Sequence, residues 1–144
     1  LSRENEISFE EFEDRVRYRL KFLEFAPIVT VSAKTGMRIS NILPQVEKVY
    51  EEYSRSIPTA HLNACFERAI QKNPMSSYRG KFMKLFYATQ VKKGPPTFKC
   101  FLNFPEGIHF SYRRYLINSL RKKFGFTGTP VRLILSGKRK GIDS

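Results

Sequence analysis

A chain of 144 residues has room for one ordinary domain or two small ones. With 41% hydrophobic residues, including 13 Phe and 7 Tyr, it can build a true core, which excludes wholesale disorder. A formal net charge of +13 calls for a polyanionic partner, nucleic acid first and an anionic membrane surface second.

Ser8-Phe9-Glu10-Glu11 is a capping-box pattern, with Ile7 and Phe12 at the staple positions around it. Phe9, Phe12, Val16, Leu20 and Leu23 follow at helical spacing and predict an amphipathic helix over 9–24. After Pro27 the run Ile28-Val29-Thr30-Val31 is apolar on both faces, as in a strand buried inside a parallel sheet. Ser32-Ala33-Lys34-Thr35-Gly36 reads as a loop. A second helix comes after it, with Ile39, Ile42, Leu43, Val46, Val49, Tyr50 and Tyr53 on one side and Pro44 in its first turn. One strand between two helices has no partner for its ladder and buries too little surface to be stable, so residues 1–57 are expected to be an incomplete α/β piece. Leu1 in place of an initiating Met agrees with a piece of something longer.

Thr59 is the expected cap of a helix over roughly 60–72, with Leu62, Cys65, Phe66, Ala69 and Ile70 turned inward. Residues 73–84 are polar, hold Pro74 and Gly80, and read as a mobile loop. A strand over 85–91 turns at Lys92-Lys93-Gly94-Pro95-Pro96, and Phe98, Cys100, Leu102 and Phe104 share one face of the returning strand. Tyr112, Tyr115, Leu116, Ser119, Leu120 and Phe124 mark a helix over about 111–124, which Gly125 ends in a left-handed cap. Val131, Leu133 and Leu135 give a last strand before a basic tail over 137–144. The order αββαβ predicts a three-stranded sheet with two helices on one face.

Charge divides the chain at Ser56-Ile57-Pro58-Thr59. Residues 1–58 hold nine Lys and Arg against ten Asp and Glu, whereas residues 59–144 hold 17 against three. That step implies two units with separate tasks. No apolar run approaches the ~20 residues that span a bilayer. The charged residues from Leu1 to Glu6 lack a signal-peptide pattern. Two cysteines give no disulfide framework and suit a reducing, cytoplasmic compartment.

Among residues that could carry chemistry, Ser32-Ala33-Lys34 stands at the carboxyl end of the predicted strand, the edge where open α/β sheets bind ligands. The Ala33 amide there could donate to a carbonyl of a planar base. A plain turn is the alternative, and the flanking strand and helix favour binding. No G-x-x-x-x-G-K-[ST] phosphate loop occurs anywhere in the chain. The helix over 111–124 carries Arg113, Arg114, Arg121, Lys122 and Lys123 and no acid. Arg113, Asn118, Arg121 and Lys122 can line much of its outer side and grip phosphates, the alternative being a solvated basic face. Both tyrosines of that helix are assigned to the core. Gly125-Phe126-Thr127-Gly128 has the form of the G-x-x-G clamp of KH domains but precedes a strand where the clamp joins two helices, so cap plus turn is the better reading. His61, Cys65, Cys100 and His109 lack zinc-ligand spacing, and both cysteines fall on core faces.

The Ser-Ala-Lys loop, Val49-Tyr50-Glu51-Glu52-Tyr53 and Ile57-Pro58-Thr59 together resemble the end of the second GTPase domain of the Der (EngA) family. The later strings are more specific: Tyr87-Ala88-Thr89-Gln90-Val91, Gly94-Pro95-Pro96-Thr97-Phe98, the run from Ile108 to Leu116, and the run from Phe124 to Arg132. The resemblance covers nearly the whole chain. It implies a bacterial GTPase with two tandem GTPase domains and a C-terminal KH-like domain that acts in assembly of the large ribosomal subunit. Residues 1–57 would end the second GTPase domain, and residues 58–144 would be the KH-like αββαβ domain with its basic tail. Ser32, Ala33 and Lys34 would form the fifth guanine motif; the Asn-Lys-x-Asp motif, phosphate loop and switch regions would lie before Leu1. GTP or GDP with Mg²⁺ is then the cofactor of the intact protein, not held tightly by this piece, which should be inactive as a GTPase. Partners implied are rRNA of the large subunit and the other GTPase domains of the parent chain, with neither membrane nor DNA. Arg113, Arg114, Arg121, Lys122, Lys123 and Arg132 are the candidate RNA contacts. A freestanding RNA-binding module, and a basic domain that docks an acidic protein surface, remain the alternatives.

Overall fold

The computed structural model describes residues 8–137 other than 33 and 37. Helix α1 spans Phe9–Arg19, with the Ser8 hydroxyl accepting the Glu11 amide at 3.2 Å as the capping pattern predicts. It stops short of residue 24: Leu20 leaves helical geometry, and a 3-10 turn, Lys21–Leu23, comes next. Arg17 explains the break, because its guanidinium donates to the Glu24 carbonyl at 3.2 Å and the Ala26 carbonyl at 2.8 Å, folding the chain back where the helix would have continued.

Residues 28–31 form no strand. Among the described residues nothing offers them a ladder, and Val29 and Val31 stand 38% and 47% exposed in place of being buried. A 3-10 turn, Ile39–Asn41, leads into helix α2, Ile42–Tyr53. Neither α1 nor α2 has a buried residue, so this part has no core of its own.

The core is built by residues from Ile57 onward. Helix α3 is Thr59–Lys72; Pro58, not Thr59, occupies its cap position and no side chain caps it. The Thr59 carbonyl instead accepts from the Asn63 amide at 2.8 Å. Strands β1, Leu85–Lys92, and β2, Thr97–Leu102, pair antiparallel, and β3, Arg132–Ser136, pairs parallel to β2, giving the order β1-β2-β3. Helix α4, Phe110–Phe124, makes the crossover between the two parallel strands. Leu62, Phe66, Ala69, Leu116 and Leu120 from the helices meet Ala88, Phe98, Cys100, Leu102 and Leu133 from the sheet in one buried cluster. This is the predicted αββαβ arrangement, and both cysteines are free and buried in it. Phe104 falls outside β2; it leads into a 3-10 turn, Pro105–Gly107, and packs its ring 5.8 Å from that of Tyr78.

The stretch over 73–84 is tied down more than its composition implies. Tyr78 and Lys81 exchange backbone bonds across Arg79 and Gly80, both at positive φ as a type I′ turn requires. Asn103 fixes the exit, accepting from the Lys84 amide at 2.9 Å and donating to the Phe82 carbonyl at 2.8 Å.

Candidate nucleic-acid interface

Helices α3 and α4 lie side by side on the sheet and leave a groove of about 530 Å³ between their outer faces. Cys65, Ala69 and Tyr115 form its floor, Asn118 and Ser119 one flank, and Arg68, Lys72, Lys122 and Lys123 its rim. Helical spacing brings these cations together: Arg68 and Lys72 are one turn apart on α3, as Asn118 and Lys122 are on α4. Among the described residues no carboxylate lines the groove, since α4 has none and Glu67 of α3 faces a separate cleft with Asn63 and Ile70. Among the described residues none of the four cations has an ion-pair partner. Burial pushes the Cys65 thiol up from its ordinary pKa, while Lys123 and Arg68 pull it the other way, so both cations act on the groove floor.

The six cations expected to meet RNA do not form one surface. Lys122 and Lys123 are on the groove. Arg121 is not: its guanidinium donates to the Phe126 carbonyl at 3.1 Å and the Thr129 carbonyl at 2.9 Å and lies over the Phe25 ring. Arg113 donates to the Leu133 carbonyl, bracing α4 against β3. Arg114 comes within 3.9 Å of Glu24, both side chains being about two-thirds exposed, a pairing worth little energetically. Arg132, paired with Thr97 beside buried Leu133, belongs to the sheet face away from the helices. Arg68 and Lys72 escape a sequence reading centred on the acid-free helix; their i, i+4 spacing is the signal that could have found them. Tyr112 and Tyr115 are in the core layer as expected, donating to the carbonyls of Asn73 and Ala69, each at 2.7 Å.

Gly125 and Gly128 lie at a seam where the first part of the chain rests on the second. The Gly125 amide closes α4 by donating to Arg121, although its φ of 96° and ψ of −87° fall outside the left-handed helical region expected. The Gly128 amide donates to the Phe25 carbonyl at 2.8 Å, and a Cβ there would stand 2.4 Å from Val49. Glu52 accepts from the Phe126 amide at 3.0 Å and from Arg55 at 3.3 Å, while Arg55 also donates to the Phe124 carbonyl. The Gly94 amide donates to the Tyr53 carbonyl at 2.9 Å.

Of the loop expected to contact guanine, Ser32 and Lys34 are described and Ala33 lies outside the described residues. The Ser32 hydroxyl accepts the Thr35 amide at 3.3 Å, folding the loop on itself, and Lys34 is exposed. With no phosphate loop in the sequence, the phosphates of GTP and their Mg²⁺ have no counterpart here, and no catalytic step is assigned to this chain. Among the described residues no three of His, Cys, Asp and Glu come together as metal ligands, and no helix is long and apolar enough to cross a membrane.

A mixed three-stranded sheet in the order αββαβ, both helices on one face, defines the larger part of the molecule as a KH-like domain. Residues 56–135 match the family model described as the KH-domain-like, C-terminal part of EngA bacterial GTPase enzymes. The chain belongs to that family, whose members are also named GTPase Der. It is 46% identical over 127 residues to the GTPase Der of Geotalea daltonii, covering 88% of this chain and 29% of that protein. Similar figures hold for GTPase Der of Geotalea uraniireducens, 44% over 138 residues (96% and 31%), and of Caldanaerobacter subterraneus, 45% over 136 residues (94% and 30%). The chain thus spans about 30% of the length of these relatives.

Proposed function

We propose that this chain is the RNA-facing end of a GTP-hydrolysing factor in assembly of the large ribosomal subunit, and that its rRNA contact is the groove between α3 and α4. One observation carries this reading: Arg68, Lys72, Lys122 and Lys123 converge on that groove without a carboxylate among its lining. Four unneutralised cations around one concavity suit a phosphodiester backbone, whose binding gains from released counterions. Arg121, Arg113 and Arg132 are left out of this surface, the first two because backbone carbonyls engage them. Residues 1–57, with Ser32, Ala33 and Lys34, would supply the guanine wall of the second GTPase domain, and residues 58–144 the KH-like domain. The expected setting is the bacterial cytoplasm.

Binding to single-stranded rRNA fragments, measured across a salt series, tests the proposal. Affinity should fall linearly on a log–log plot, and each lysine replaced by alanine at 122 or 123 should lower the slope by about 0.7. A negligible slope, or charge reversals at Arg68 and Lys122 without effect, would favour docking of an acidic protein surface instead. GTP incubated with this chain alone should release no phosphate.

A further inference from the structure

Backbone binding uses only the rim of the groove, yet the floor is built as well. The Tyr115 hydroxyl reaches from α4 to the Ala69 carbonyl of α3 at 2.7 Å, and the Cys65 thiol reaches from α3 to the Ser119 carbonyl of α4 at 3.7 Å. These two cross-links run in opposite directions and hold the floor at a fixed width. The Ser119 hydroxyl is engaged too, donating to the Tyr115 carbonyl at 2.9 Å. The Asn118 side chain differs. Among the described residues its amide has no hydrogen-bond partner, although it flanks the floor directly, and it offers both a donor and an acceptor.

The groove therefore combines an apolar floor, one unengaged amide beside it and four cations around it. A bare phosphate or a carboxylate would use the cations alone. A flat aromatic body with a hydrogen-bonding edge, carried on an anionic backbone, uses all three. The volume of about 530 Å³ lies within the ~300–1,000 Å³ typical of small-ligand sites. Duplex RNA keeps its bases stacked and paired, so only an unpaired nucleotide can present such a body.

We propose that the α3–α4 groove is a pocket for one unpaired nucleotide of single-stranded RNA. The base lies on Cys65, Ala69 and Tyr115, its edge is read by Asn118, and its flanking phosphates meet Arg68, Lys72, Lys122 and Lys123. This rests on the RNA reading of the same groove and adds the form of RNA that it takes. The Gly125 to Gly128 loop has no part in it, being engaged with Glu52, Val49 and Phe25 at the seam.

The full chain is titrated with a short single-stranded RNA, the same strand annealed to its complement, and an abasic ribose-phosphate strand of equal length. The wild type should bind the single strand about tenfold more tightly than the abasic strand. It should also prefer the single strand to the duplex. Asn118→Ala, an exposed position that leaves the core intact, should remove most of the preference over the abasic strand without changing abasic-strand affinity. Ala69→Leu, which fills the floor, should do the same, with urea unfolding as a check on its fold. Equal wild-type affinity for native and abasic strands would overturn the base pocket while leaving backbone binding standing. Lys122→Glu with unchanged affinity for every strand would overturn the RNA reading beneath it, and so would polyglutamate competing as effectively as RNA.

Discussion

Arg121 shows how far the role of a charged side chain depends on its neighbours. Its partners are two carbonyls of the loop that ends α4, and desolvation at this half-buried position lowers its pKa. Replacing it by alanine should cost about 1.5–3 kcal/mol in urea unfolding. The RNA affinity of the folded fraction should stay unchanged. Lysine should not rescue stability, since a single ammonium does not reproduce the planar fork. Tyr112 carries a second residue-level prediction. Burial, and to a lesser degree Tyr115, raises its phenol from 10.0 to about 12. Below pH 10 the phenol is neutral in both states and its bond to Asn73 counts fully toward stability. Between about pH 10 and 12 the unfolded chain ionises first, so stability falls until the folded phenol titrates as well. Alkaline unfolding of Tyr112→Phe should show a smaller loss across that window. The two thiols should differ as well: Cys65 lines the groove, whereas Cys100 has no exposure and is pushed up to about 12. Alkylation of the native protein should therefore modify Cys65 first.

At the scale of elements, the seam explains how α2 is held without a core of its own. Its bonds run largely through backbone: Phe25 to Gly128, Tyr53 to Gly94, and Glu52 and Arg55 to the end of α4. Alanine at Gly128 must adopt a φ of 82° and place its Cβ against Val49. The expected cost is about 1–3 kcal/mol, read as a lower urea midpoint. Glu52→Ala leaves the Phe126 amide without its acceptor and should cost about 1–3 kcal/mol in the same assay. In a chain lacking residues 8–53 the clash with Val49 is gone, so the cost of Gly128→Ala should fall to that of the positive φ alone. The predicted strand over 28–31 belongs to this scale too. Its apolar run was legible, but a strand exists only with a ladder, and the described residues supply none.

For the whole molecule, the sequence by itself determined the αββαβ order, because hydrophobic period and turn residues are local properties written along the chain. Leu62, Phe66 and Ala69, or Phe98, Cys100 and Leu102, announce the buried face they occupy. The charge step near Pro58 and the family strings were likewise readable without coordinates. The site was legible only in part. Charge was visible, but not which charges are available, since Arg113 and Arg121 are engaged by carbonyls of residues contributed by a strand and a loop after their own helix. Arg68 and Lys72 join Lys122 and Lys123 only because α3 and α4 pack side by side, a juxtaposition across some fifty residues that no local pattern encodes. Only the tertiary structure decided which cations share a surface, for a side chain's freedom to meet a ligand is set by the partners that packing brings to it.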